Sequence, residues 1–98
     1  MTDDFDKDVD TTIKLYEEAI GQPARRTRQM IERCGKIEAL SRLAVKPDFQ
    51  KGFKVLRDKG MLSVTFEAII VKYKNKFKPN IVEAALRRLG EADKSYNK

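Results

Sequence analysis

Four lysines in seven residues, Lys72, Lys74, Lys76 and Lys78, alternate with Tyr73, Asn75 and Phe77. Ammonium groups at that density neutralise phosphates, and an exposed aromatic among them would stack on a base. Arg25, Arg26 and Arg28 form a second basic cluster, and Arg87 and Arg88 a third. The planar guanidinium fork suits bidentate phosphate contacts. Other chemistry is poorly served. The chain has no His, the commonest general base, and one Cys. Cys34 falls at a predicted helix C-terminus, where the dipole opposes a thiolate, and is expected to be a half-buried packing residue. A single Cys also excludes an intramolecular disulfide and a Cys-cluster zinc site. Asp6, Asp8, Asp10 and Glu17 carry the 1, 3, 5 and 12 spacing of an EF-hand loop. Thr11 stands where that loop needs glycine, and carboxylates at i, i+2 and i+4 of a helix do not converge on one ion. The five glycines are isolated, so no glycine-rich phosphate cradle exists. No catalytic residue, metal or cofactor is expected, and the chain reads as non-enzymatic.

The elements that must hold these residues follow from apolar spacing. Phe5, Val9, Ile13, Tyr16 and Ile20 step by four, four, three and four, one face of a helix from Asp4 to Ile20. Aspartates crowd its first turns, where the helix dipole favours them, and Gly21 and Pro23 end it. A second helix runs from Pro23 or Ala24 to Cys34, with Thr27, Met30, Ile31 and Cys34 on one face and Gly35 as stop. A third, Lys36 to Val45, presents Ile37, Leu40 and Leu43 or Ala44, and ends before Pro47. A fourth starts near Pro47–Asp48 with Asp48 as N-cap, buries Phe49, Phe53 and Leu56, and ends at Gly60. A fifth follows Met61–Leu62 with Ser63 as N-cap and Phe66, Ile69, Ile70 and Tyr73 inward. Its β-branched residues make a strand the competing reading, but Glu67–Ala68 and the lack of alternation favour helix. A sixth spans Pro79 to Leu89, with Val82, Ala85, Leu86 and Leu89 inward and Gly90 as stop.

The expected architecture is therefore all-α: a single compact domain over residues 1–98 of five to six short helices, with 1–4 and 91–98 as frayed tails. Segment five should sit near the centre. The core should include Ile13, Tyr16, Ile31, Leu40, Leu43, Phe53, Leu56, Phe66, Ile69, Ile70, Val82 and Leu86. At 98 residues, 41% hydrophobic, the chain can close one modest core. No apolar run approaches the ~18 residues of a membrane span, and no secretory signal opens the chain. A cytoplasmic protein without membrane association is expected.

Charge is unevenly spread. Residues 1–20 hold seven acids against two lysines, net −5, and residues 21–98 hold 19 basic against eight acidic residues, net +11. Such asymmetry marks either a polyanion-binding surface or an acidic segment that folds back to neutralise the body. The fourth and fifth segments, joined through Gly60, also have helix-turn-helix order. Segment five is too apolar to offer polar side chains to base edges.

Several landmarks recur together. They are Phe5 and Tyr16 in the first helix, Arg26–Thr27 through Met30, and Gly35 before Glu38–Ala39 and Leu43. Gly52–Phe53 with Leu56, Gly60 with Leu62, and Thr65 with Glu67–Ala68 follow, then Phe77 and Arg87–Arg88–Leu89. This order resembles a widespread group of short, uncharacterised bacterial helical proteins. In that group Gly-Phe-x-x-Leu leads to Gly-x-Leu, Thr-x-Glu-Ala and a closing basic-Arg-Leu. The resemblance implies a stand-alone helical domain of bacterial origin and carries no activity, cofactor or catalytic residue. The chain departs from the group at Lys78–Pro79–Asn80, where relatives have an acidic, Ser/Thr-capped helix start, and in the lysines of 72–78.

Two functions are expected from these observations. The first is a small bacterial binding module whose basic face engages nucleic acid through phosphate contacts by Arg25, Arg26, Arg28, Lys72, Lys74, Lys76 and Lys78. The second is a protein-interaction or accessory subunit, including as a homodimer, because segment five is apolar on more than one face.

Overall fold

The computed structural model describes the backbone of residues 4–45 and 50–96 and the side chains of 4–45 and 53–90. Among these residues there are six α-helices and no strand: α1 (Asp4–Ile20), α2 (Arg25–Cys34), α3 (Lys36–Val45), α4 (Gln50–Asp58), α5 (Phe66–Lys72) and α6 (Pro79–Tyr96). Single 3₁₀ turns at Leu62–Val64 and Lys74–Lys76 flank α5. The architecture is a single small all-α domain.

Helix α1 buries Phe5, Val9, Thr12 and Ile13. At about 100° per residue, Asp8 falls on one flank of that stripe, and Asp6, Asp10 and Glu17 fall together on the other. Both flanks are paired with the basic body. Lys72 Nζ donates to Asp8 at 2.9 Å, Lys36 meets Asp6 at 3.1 Å, and Arg28 grips Glu17. Attraction along both edges thus fixes the rotation of a helix whose apolar face alone would tolerate some roll. Of the aspartates that share an EF-hand spacing, Asp8 turns to Lys72 on one flank while Asp6 and Asp10 turn to Lys36 on the other flank of one continuous helix.

Helix α2 buries no residue and rides on the outside. Thr27, Met30, Ile31 and Cys34 are half-buried on its inner face, as their spacing predicts. Gly35, at φ 84°, turns the chain straight into α3, which buries Ala39, Leu40, Leu43 and Ala44. Ile37, in the first turn of α3, is instead exposed. The expected start of the fourth helix, with Asp48 and Phe49, lies outside the described residues. That helix ends as expected: Gly60 adopts φ 75°, its N–H reaches Arg57 O, and Met61 N–H reaches Leu56 O. This pairing is a Schellman stop.

Segment five is a helix, but its cap is Thr65, not Ser63. Thr65 holds an extended backbone, and its hydroxyl accepts from Ala68 N–H at 3.2 Å while donating to Leu62 O at 2.8 Å. Ser63 falls inside the preceding 3₁₀ turn and is exposed. Helix α5 packs on α1, α3 and α6, so Ile69 and Ile70 sit in the middle of the core. Tertiary burial outweighs their strand propensity. The core joins Phe5, Val9 and Ile13 to Leu40, Ala44, Phe77, Ile81 and Ala85. Tyr16, Ile31, Phe66 and Val82, expected in the core, are half-buried at its edge.

Helix α6 departs from expectation twice. Among its described side chains Ile81 and Ala85 are buried and Arg88 is half-buried, while Leu86 is 52% exposed. The rows 81, 85, 88 and 82, 86, 89 have equal helical spacing and lie about 100° apart, so periodicity does not choose between them. Arg88 decides, because it must reach the buried Glu67 on α5. The helix also runs through Gly90 to Tyr96. Gly90 keeps a negative φ, unlike Gly21, Gly35 and Gly60. A lone interior glycine costs a helix only about 1 kcal/mol, and no proline follows to stop it.

Candidate functional site

The alternating segment 72–78 separates its two residue types. Tyr73 ends α5 and its hydroxyl donates to Asp8 at 2.7 Å. Phe77 is buried, and the Phe5 ring stands edge-on to Tyr73 at 5.3 Å and to Phe77 at 6.0 Å. The aromatics are therefore anchors and not stacking platforms. Lys72, Lys74, Lys76 and Lys78 are all exposed. Lys76 Nζ lies 5.5 Å from the Phe5 ring centroid, a cation–π distance that steers its head. Lys72 is held by Asp8, whose carboxyl is kept below its ordinary range first by the Lys72 hydrogen bond and then by Tyr73. The same carboxylate raises Lys72 and Tyr73. Lys74 and Lys78 form no ion pair with another described residue.

The arginine cluster sits at the first turn of α2. Arg28 makes a fork to Glu17, Nε to Oε2 at 2.8 Å and Nη2 to Oε1 at 2.6 Å, and Ala24 N–H donates to the same Oε2 at 2.8 Å. These contacts, led by Arg28, hold the Glu17 carboxyl at about 2. Arg25 and Arg26 are exposed. Asp8 and Glu17 are nine positions apart, about 13 Å along α1 and on opposite flanks. The structure thus brings Lys72–Lys78 together and Arg25–Arg28 together, but not the two clusters with one another.

The third cluster dissolves. Arg87 is exposed and pairs with Glu83 one turn back. Arg88 is structural. Its guanidinium meets Glu67 on α5, donates to Ala44 O at 2.7 Å at the end of α3, and lies 6.0 Å from the Phe53 ring of α4. Burial pushes the Glu67 carboxyl up, and the Arg88 charge opposes it. One side chain thereby ties together α3, α4, α5 and α6. It occupies the α3 C-terminus, where free carbonyls favour a cation.

A second feature escapes sequence reading. A cleft of about 510 Å³ opens between α1, the 20–24 turn, α3 and α4. Tyr16, Ile20, Leu43, Phe53, Leu56 and Phe66 give it apolar walls. Buried Thr12, Thr65 and Glu67 line its deep end, and exposed Gln22, Pro23, Arg25 and Arg26 line its outer end. The contributing residues are scattered over the chain, so no local spacing announces them. Cys34 is half-buried and does not line it.

The helix-turn-helix order persists in α4, Gly60 and α5, but α5 is seven residues long and buries Glu67, Ile69 and Ile70. A helix enclosed in that way presents no face to a major groove. Among the described residues no helix is long and apolar enough to cross a membrane. No family model, curated protein or solved structure matches the chain.

Proposed function

We propose that the protein is a non-enzymatic binding module that engages nucleic acid through its phosphates along the Lys74–Lys78 edge. One observation carries this reading: half-buried Tyr73 and buried Phe77 fix the segment from within, and every lysine of it is exposed. Side chains displayed from an anchored turn lose less freedom on binding than those of a loose loop. With the aromatics turned inward, contacts are to backbone phosphates, and duplex is bound at least as well as single strand. Arg28 and Lys72 are engaged by Glu17 and Asp8, so they contribute less than their charge suggests. The same proposal places the module in the cytoplasm of a bacterium, on the strength of its single cysteine and its sequence resemblance.

The test is fluorescence anisotropy with labelled duplex and single-stranded oligonucleotides across a salt series. Replacing Lys74, Lys76 and Lys78 by Ala is expected to flatten the salt slope by roughly one unit per lysine. Lys72→Ala should flatten it less. No binding at low salt, or an unchanged slope in the triple variant, refutes the reading. The accessory-subunit reading, including a homodimer, draws on exposed Ile37, Val45 and Leu86. Single exposed apolar side chains are ordinary on protein surfaces, so it ranks second.

A further inference from the structure

We infer that the cleft between α1, α3 and α4 binds an uncharged small molecule with a mainly apolar body and one hydrogen-bonding oxygen, the class of medium-chain alcohols, ketones and phenols. The site is distinct from the lysine edge, and the inference goes beyond the nucleic-acid reading. A volume of about 510 Å³ falls within the ~300–1,000 Å³ range of small-ligand pockets.

The deep end asks nothing polar of an occupant. The Thr12 hydroxyl donates to Val64 O, Thr65 is satisfied by Leu62 O and Ala68 N–H, and Glu67 is matched by Arg88. Among the described residues no buried side-chain polar atom lacks a partner. An occupant reaching Phe53 and Leu56 therefore gains by excluding water, and a polar body there would lose its hydration without replacement.

The same pairing decides against a charged occupant. The Glu67 and Arg88 charges are spent on one another. A further ion at the deep end would lose its hydration and find no counter-charge left over. At the rim Arg25 is exposed, and an ion pair there is screened by water and gains little. What the cleft holds in reserve is neutral. Tyr16 of α1 and Thr27 of α2 are half-buried liners, and neither hydroxyl hydrogen-bonds another described residue. Each can donate to or accept from an uncharged oxygen. A chain or ring covering Phe53 and Leu56, with its oxygen at one of these hydroxyls, uses both properties of the cleft.

Decanol, decanoate and decyltrimethylammonium are the probes, each titrated below its micelle-forming concentration into the full chain and followed by backbone amide NMR shifts. Decanol should shift residues 16–20, 24–27 and 65–67, and should bind at least as tightly as either ion. Tyr16→Phe/Thr27→Val removes both hydroxyls while keeping the shape of two half-buried side chains, so the fold should survive. It should weaken decanol binding by about three- to tenfold, the worth of one neutral hydrogen bond. Replacing Lys74, Lys76 and Lys78 should leave decanol binding intact, which separates this site from the lysine edge. Tighter binding of either ion than of decanol overturns the uncharged assignment. Decanol affinity unchanged in the hydroxyl variant overturns the hydrogen-bonding assignment. Shifts from decanol confined to 72–78, or no shift with any decyl probe, overturn the cleft as a site.

Discussion

Glu17 and Glu67 show how differently two carboxylates in one small protein are used. Glu17 is held at about 2 by Arg28 and the Ala24 N–H, below the unfolded value near 4.3. The folded state then binds fewer protons than the unfolded state between those values. Its contribution is complete above about pH 4.5 and is lost as pH falls towards 2. Glu17→Gln should flatten the rise of Tm with pH across that window, measured by circular dichroism. Glu67 is the reverse case. With Arg88 removed, only a backbone hydrogen bond opposes burial, and its carboxyl rises further. Arg88→Met should therefore cost about 3–5 kcal/mol in a denaturant titration. Its stability should also fall as pH increases from 4 to 7, because the folded state now holds the extra proton. Replacing the pair together, Glu67→Leu with Arg88→Met, should recover much of the loss. The sequence marks Arg88 only as one of two adjacent arginines. Which of them is buried depends on the roll of α6, and that is fixed by a glutamate 21 positions away.

At the level of elements, helix extents and most buried faces are readable in the sequence, and the roll of α6 is not. Gly21, Gly35 and Gly60 end helices at positive φ, and their isolation between apolar runs announces it. Gly90 looks the same in the sequence, but it lies inside α6. The start of α5 was misplaced by two residues because Ser63 and Thr65 are equally plausible caps until the Leu62 carbonyl supplies a second bond to Thr65. Thr65→Ala should destabilise the protein by about 1–2 kcal/mol, and Thr65→Ser by much less, since the hydroxyl keeps both bonds. Chemical denaturation of the two variants checks this. The cleft lies beyond local reading altogether, because it exists only once α1, α3 and α4 are assembled.

For the whole molecule, the sharp division of charge along the chain resolves into a clamp. Acidic α1 lies along a basic body, bracketed by Lys72 on one flank and by Lys36 and Arg28 on the other. The asymmetry was plain in the sequence. That it is spent largely inside the molecule was not, because the pairings span up to 64 positions. The acidic segment is no detachable cover. Removing residues 1–10 takes Phe5 and Val9 out of the core. It is expected to abolish cooperative thermal unfolding rather than strengthen oligonucleotide binding. Asp8→Asn, by contrast, keeps the core and releases Lys72, and should raise affinity for duplex modestly at low salt. The clamp also sets an order of events during synthesis. At roughly 5–20 residues per second, α1 precedes its Lys72 partner out of the ribosome by roughly 3–13 s. Until α3 and α4 follow it, its apolar stripe has nothing to bury against, and its α5 partners Ile69 and Ile70 come later still. The carboxylates that later lock it in place are then the groups that keep it dissolved and repel its copies on neighbouring ribosomes.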